Sequence, residues 1–272
     1  MAIEPSEESL EERERRYWDA QSSRYSDDAL LDGDPQLASG SERLHLHWLG
    51  ELQGKRLLDV GCGVGQWSVF LAKLGAEVWA IDISPASLEV ARRNATLHGV
   101  EDRIHFDTMN ALATSFPDQF FDRVHGQDVI HHLDPELLGR EVGRVLRPGG
   151  RAIFTENCAN NPLLMLARKH LCGRFGIPRW SSGDEYPLTR EGIRAFGASF
   201  LTVDVAFPDF RFFHLLNAKL FGYRSRLLNH AFDALDAGIY RFLPILRPWS
   251  YRQVIRFSFP RAAFNPRWHE HS

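Results

Sequence analysis

Apolar and polar positions follow two different periods along this chain, and the switches between them mark its elements. The run Leu57-Leu58-Asp59-Val60 leads into Gly61, Gly63 and Gly65 at alternate positions, and helical spacing then opens over residues 66–74. A buried strand passes in this way through a tight turn into a helix where a ligand must approach the backbone. Beyond it the pattern predicts strands at 77–83, 103–109, 121–130 and 151–156. Helices are predicted at 84–98, with Pro85 in the first turn, and at 135–146, closed by Arg147-Pro148-Gly149-Gly150. Upstream, residues 10–25 carry helical spacing that sets Tyr17 and Trp18 side by side on one arc. Residues 27–40 read as loop, and 41–52 as a helix with Ser41 as N-cap. Downstream, 189–199 is predicted helical, and 201–207 and 251–259 alternate as strands.

Strands alternating with helices predict an α/β fold: a Rossmann-like, mostly parallel sheet with helices on both faces and ligands at the carboxyl ends of its strands. Two stretches leave that rhythm. Residues 157–186 are rich in Pro, Arg and Trp, and 209–249 hold about forty residues where a hairpin needs a few. The second is helical by pattern, with Pro244 and Pro248 stopping it. The expected organisation is an N-terminal helical flap over 1–40 and one large domain over 41–272, with insertions at about 157–186 and 209–249.

Composition narrows the class. A chain of 272 residues can bury a full core without staples. Its net charge of -3 supplies no basic field for a phosphate backbone, so a nucleic-acid partner is not expected. Cys62, Cys158 and Cys172 form no C-x-x-C pair, so neither a disulfide framework nor a metal site is expected, and a reducing cytoplasm fits. The acidic residues 1–16 hold no apolar signal region. The most apolar late stretch, 232–249, is interrupted by Asp233, Asp236, Arg241 and Arg247, which argues against stable membrane insertion.

The candidate chemistry starts at the glycine turn. Alone it is shared with dinucleotide-binding folds and with plain turns. Asp82, about 20 residues on at a strand end, is placed to accept hydrogen bonds from ribose hydroxyls, or else to cap the helix that opens at Pro85. Met109-Asn110-Ala111 closes the third strand and Val145-Leu146-Arg147-Pro148-Gly149-Gly150 precedes the fifth.

With these motifs the chain resembles the class I S-adenosylmethionine-dependent methyltransferases of small-molecule type, continuously over residues 57–156 and more loosely to the C-terminus. Asp59-Val60-Gly61-Cys62-Gly63-Val64-Gly65 is similar to that family's glycine loop, and Ile81-Asp82-Ile83-Ser84 to its ribose-binding strand end. Phe121-Asp122-Arg123-Val124 through His131-His132-Leu133 is similar to its fourth strand and the helix entry after it, and Leu146-Arg147-Pro148-Gly149-Gly150 to its turn before the fifth. Asn110 stands where relatives carry Asp, and its amide oxygen still suits an adenine amine. The segment Gly126-Gln127-Asp128-Val129 lacks the Pro-Pro-Tyr/Phe signature of base-amino methyltransferases.

The resemblance implies a seven-stranded sheet with its last strand antiparallel and S-adenosyl-L-methionine as cofactor, leaving as S-adenosyl-L-homocysteine. It implies cofactor contacts at Asp59, Gly61, Cys62, Gly63, Gly65, Asp82, Ile83, Met109, Asn110, Ala111 and Gln127. Methyl transfer needs in-line placement above all, and a base where the acceptor carries a proton. Glu156, His131 and His132, at strand carboxyl ends, are the candidates for that base, with Glu156 alternatively anchoring the loop that follows. His125 is expected in the core or under the cofactor, and Asp128 in the cleft lining. Tyr17, Trp18, Tyr25, Trp180 and Phe213 are expected to wall the substrate. The apolar insertions with their arginines point to a hydrophobic acceptor, a terpenoid, polyketide or quinone-like natural product methylated at O or C; self-packing lid helices are the plainer account of them. A surface helix pressed against a membrane is a further option, against which the acidic residues weigh. A homo-oligomer is compatible with the chain. Competing functions are a protein or RNA methyltransferase, a catalytically silent cofactor-binding partner, and a nicotinamide-dependent dehydrogenase, which the loop spacing disfavours.

Overall fold

A computed structural model describes residues 10–22, 39–170 and 186–261. The predicted alternation is realised as one seven-stranded sheet in the order β3-β2-β1-β4-β5-β7-β6. These strands are β1 (Arg56–Val60), β2 (Glu77–Asp82), β3 (Ile104–Thr108), β4 (Phe121–Gln127), β5 (Leu146–Asn157), β6 (Phe200–Ala206) and β7 (Arg252–Pro260). Only β7 runs antiparallel to its neighbours, as expected. The chain clusters into two compact units, one of Met1–Pro35 with Leu52–Ser115, the other of Gln36–Glu51 with Phe116–Ser272.

In the first unit β1, β2 and β3 pair in parallel. Leu57, Leu58, Val60, Val78, Ala80 and Ile81 are all buried, the signature of strands covered on both faces. α3 (Gln66–Lys73) follows the glycine turn and buries six consecutive residues from Trp67 to Ala72. α4 (Pro85–Leu97) starts as Pro85 predicts, with the Ser84 hydroxyl accepting from the Ser87 N–H. α1 (Leu10–Ser22) is fastened to that start: Asp19 Oδ1 accepts from Ser84 Oγ at 2.6 Å.

In the second unit β4 pairs in parallel with β5. α2 (Gly40–Leu49) is capped by Ser39, not by the predicted Ser41. Ser39 and Glu42 form a reciprocal capping box, while the Ser41 hydroxyl is spent on Asp209 Oδ1 at 3.1 Å. The predicted turn at Arg147–Gly150 lies inside β5 instead. The register jumps from Phe121↔Leu146 to Arg123↔Arg151, so Pro148-Gly149-Gly150 forms a bulge that the strand carries outward and resumes from. β4 stops at Gln127, and Ile130–His132 makes a 3-10 turn. α5 (Pro135–Val145) packs on α7 (Arg190–Gly197) so closely that a Cβ on Gly139 would stand 2.4 Å from the Phe196 carbonyl oxygen. Phe154, Phe196, Phe200 and Phe257 fill the core around that contact. The first insertion opens with α6 (Pro162–His170), its later part lying outside the described residues. The second is α8 (Phe213–Phe221), α9 (Arg226–Phe242) and a 3-10 turn over Pro244–Trp249.

Candidate active site

Each unit presents its own cluster of functional side chains. In the first, Gly61, Gly63 and Gly65 take φ of 65°, 53° and 81°, a left-handed backbone that side chains resist. Two of these positions also differ in what surrounds them. A Cβ on Gly65 would lie 2.8 Å from Ala91 Cβ, so that glycine lets the loop sit on α4; a Cβ on Gly63 would meet nothing within 4 Å, so that glycine leaves an open approach to the backbone. Asn94 Nδ2 holds the Val64 carbonyl at 2.8 Å and fixes the loop. Asp82 closes it: Oδ2 accepts from the Gly63 N–H at 2.8 Å and Oδ1 from the Ser84 N–H at 2.9 Å. Burial pushes the Asp82 carboxyl up, while those backbone donors pull it down.

Asp59 is buried, accepts from Ser68 Oγ at 2.6 Å, and is pushed up to about 7 by burial, with the negative Asp82 adding to the shift. The Cys62 N–H donates to the Ile81 carbonyl at 3.0 Å, and burial holds its thiol well above the ordinary range. Ile83, Met109, Asn110 and Ala111 are half-buried; the Met109 N–H donates to the Asp82 carbonyl, and Asn110 Oδ1 accepts from the Leu112 N–H at 2.9 Å. Tyr17 and Trp18 meet edge to face at 5.1 Å, and Trp18 Nε1 donates to Glu14.

In the second unit Glu156 is fully buried at the end of β5. Its Oε1 accepts from the N–H groups of Val129 and Ile130 at 2.9 and 2.8 Å, and its Oε2 lies 2.6 Å from His131 Nδ1. The carboxylate therefore ties down the turn after β4 and orients an imidazole at the same time. The His132 ring lies 4.3 Å from that of His131, tilted by 35°, and its imidazole is held down at about 3, chiefly by burial and then by His131. Asp128, at φ 54°, accepts from Arg252 Nη1, which also donates to Asn157 Oδ1. Asp128, His131 and Glu156 bring three potential ligand atoms within 4.8 Å of one another. Both carboxylates also accept from protein donors, Asp128 from Arg252 and Glu156 from two backbone N–H groups, which ties the cluster into a hydrogen-bonded network.

Beneath it runs a buried chain, His125 Nδ1 to His45 Nε2 at 2.7 Å and His45 Nδ1 to Thr155 Oγ1 at 2.8 Å, which places His125 in the core as expected. Gln127 is half-buried at the end of β4. Phe213 opens α8, its N–H bonded to Asp236 and its ring 6.0 Å from Phe232. Tyr25 and Trp180 lie outside the described residues. The sequence pattern gives Arg252 and Asp19 no role and marks Asp236 only as a break in an apolar stretch. The register Asn157↔Arg252 places Arg252 here, and no local pattern announces a pairing made across an antiparallel partner.

Residues 58–154 match a family model described as a methyltransferase domain. The chain is 42% identical over 128 residues to the methyltransferase GfsG of Streptomyces halstedii, a match covering 45% of this chain and 46% of that protein. It is 38% identical over 124 residues to a ubiquinone biosynthesis O-methyltransferase of Aeromonas salmonicida, covering 44% of this chain and 51% of that protein. The chain thus spans about half the length of the curated relatives it matches. Among solved structures, the geranyl diphosphate C-methyltransferase of Streptomyces coelicolor A3(2) shares the fold with a TM-score of 0.59 and 17% identity, over 94% of this chain and 100% of that one.

Proposed function

We propose, from the premise that this chain carries a methyltransferase domain of the class I S-adenosylmethionine-dependent superfamily, that it moves a methyl group from S-adenosyl-L-methionine to an oxygen or carbon of a hydrophobic small molecule. The observation that carries the donor is the Asp82 clasp on an open glycine loop. An ionised carboxylate offers about four lone-pair sites, and the Gly63, Ser84 and Ile83 N–H groups draw on three of them, so capacity remains for a ribose hydroxyl. Gly61, Gly63 and Gly65 let the ligand come close to the backbone, with Asp59 and Cys62 supporting the loop. Ile83, Met109, Asn110, Ala111 and Gln127 are the proposed lining. The Asn110 oxygen keeps a second lone pair for an adenine amine after accepting from Leu112.

The bound donor supplies an electrophilic methyl, so the protein's tasks are to exclude water, hold the acceptor in line and take its proton. His131 is the proposed base. With Nδ1–H donated to Glu156, Nε2 is the basic nitrogen, and the carboxylate stabilises the imidazolium that forms on proton uptake. Glu156 is then a positioning residue. Tyr17, Trp18 and Phe213 are proposed substrate contacts. The names of the relatives, ubiquinone biosynthesis and geranyl diphosphate among them, favour a prenylated or similarly apolar acceptor.

The test is release of S-adenosylhomocysteine by the purified chain with a pool of prenylated phenols, quinols and polyketides, read with a one-methyl mass gain on the product. His131→Ala should lower kcat by about 10²- to 10⁴-fold with little change in donor affinity. Glu156→Gln should lower kcat less, again without moving donor affinity. Unaltered turnover in His131→Ala removes it as the base, and donor binding without any methylated product supports the silent cofactor-binding alternative.

A further inference from the structure

The α8–α9 hairpin carries a surface that methyl transfer does not use. One side of α9 is committed to α8. Asp236, buried, accepts from the backbone N–H groups of Phe212, Phe213 and His214 at 3.2, 2.9 and 2.8 Å, and Asp233 pairs with His214 Nδ1 at 3.1 Å. Asp236 is thereby drawn under the neighbouring helix, while Asp233, paired with His214, stays exposed close to Arg226. The other side faces outward. Leu227 is 80% exposed, Leu235 49% and Phe242 72%, and the 3-10 turn that follows adds Ile245 at 84%. At 3.6 residues per turn the three helical residues fall within an arc of about 80°, with the exposed Arg226 and Arg241 along one border. Single exposed apolar side chains are ordinary, but a stripe of large ones beside cations marks an interaction site.

We propose that this face docks peripherally on an anionic lipid bilayer, its apolar stripe entering the boundary between headgroups and acyl chains and its arginines meeting the lipid charge. A helix with an apolar arc and a basic border lies in the plane of such an interface. Among the described residues no helix is long and apolar enough to cross a membrane, so the contact is with the surface. Charge decides between a bilayer and a second copy of the chain. Laying α9 antiparallel on its own copy brings Arg226 of each beside Arg241 of the other, like charge on like charge at both ends, whereas anionic headgroups neutralise both. The proposal is independent of which acceptor is methylated.

Flotation of the full chain with phosphatidylcholine vesicles, with and without phosphatidylglycerol, tests it. The chain should rise with the anionic vesicles and stay behind with the neutral ones. Arg226→Gln and Arg241→Gln should each weaken binding about fivefold, and salt should weaken it further. Leu227→Asp and Ile245→Asp should abolish flotation while leaving the melting temperature and methyl transfer to a soluble acceptor unchanged, because both side chains are already in solvent. No flotation with anionic vesicles at low salt overturns the proposal. Binding that ignores the arginine substitutions overturns it too, as does a concentration-dependent dimer that Leu227→Asp dissociates.

Discussion

Two buried histidines oppose acidification of the folded protein, and the sign follows from their surroundings. His125 is held at about 3 and His45 well below its ordinary value, both chiefly by burial. A histidine whose folded value is depressed stabilises the fold fully above the unfolded value near 6.5 and loses that contribution as pH falls toward the folded value. One unit below 6.5 this amounts to about 1.4 kcal/mol for His125, and His45 contributes in the same direction. Asp59 acts in the opposite sense. Held at about 7 when folded, it binds a proton that the unfolded chain at that pH does not, so acidification from pH 7.5 to 5.5 returns about 2 kcal/mol. Comparison with variants isolates the histidine contribution. The stability difference between the parent chain and His125→Asn, measured by urea denaturation, should shrink by about 1.4 kcal/mol between pH 7.5 and 5.5. A difference that stays constant with pH would mean that His125 takes up its proton in the fold as readily as in the unfolded chain.

Among elements, the α8–α9 hairpin depends on one carboxylate. Asp236 sits within α9 and satisfies three consecutive backbone N–H groups at the start of α8, donors that have no partner inside their own helix. It performs from another helix what an N-cap performs locally, with its charge also favourable at the positive end of α8. Asp236→Ala should cost about 1–3 kcal/mol, while Asp236→Asn keeps an acceptor and should cost less. Limited proteolysis should locate the effect, with new cleavage in 209–249 and none in the first unit. The capping of α2 carries a related lesson: the pattern points to Ser41, and the reciprocal bond with Glu42 puts the cap two residues earlier, at Ser39.

For the whole molecule, what the sequence announces is what neighbours along the chain can fix. The glycine loop, Asp82 at its strand end and the strand–helix rhythm are local, and each is legible from spacing alone. Asp19 on Ser84, Arg252 on Asp128 and Asp236 under α8 are pairings set by register and packing between distant segments, so composition and period carry no trace of them. The glycine loop by itself suits either a nicotinamide or a sulfonium ligand. Thermal unfolding of the intact chain separates those ligands. A ligand that binds only the folded state at 100 times its Kd adds about 2.7 kcal/mol, which for a chain of this size raises Tm by roughly 5–10 °C. S-adenosylhomocysteine should produce that rise and NAD none. Asp82→Ala loses hydrogen bonds to a charged group, about 1.5–3 kcal/mol, so its donor Kd should rise some ten- to hundredfold and about half or more of the shift should vanish at the same concentration. A rise with NAD would return the loop to the dinucleotide class, and a full shift in Asp82→Ala would remove the carboxylate from the donor site.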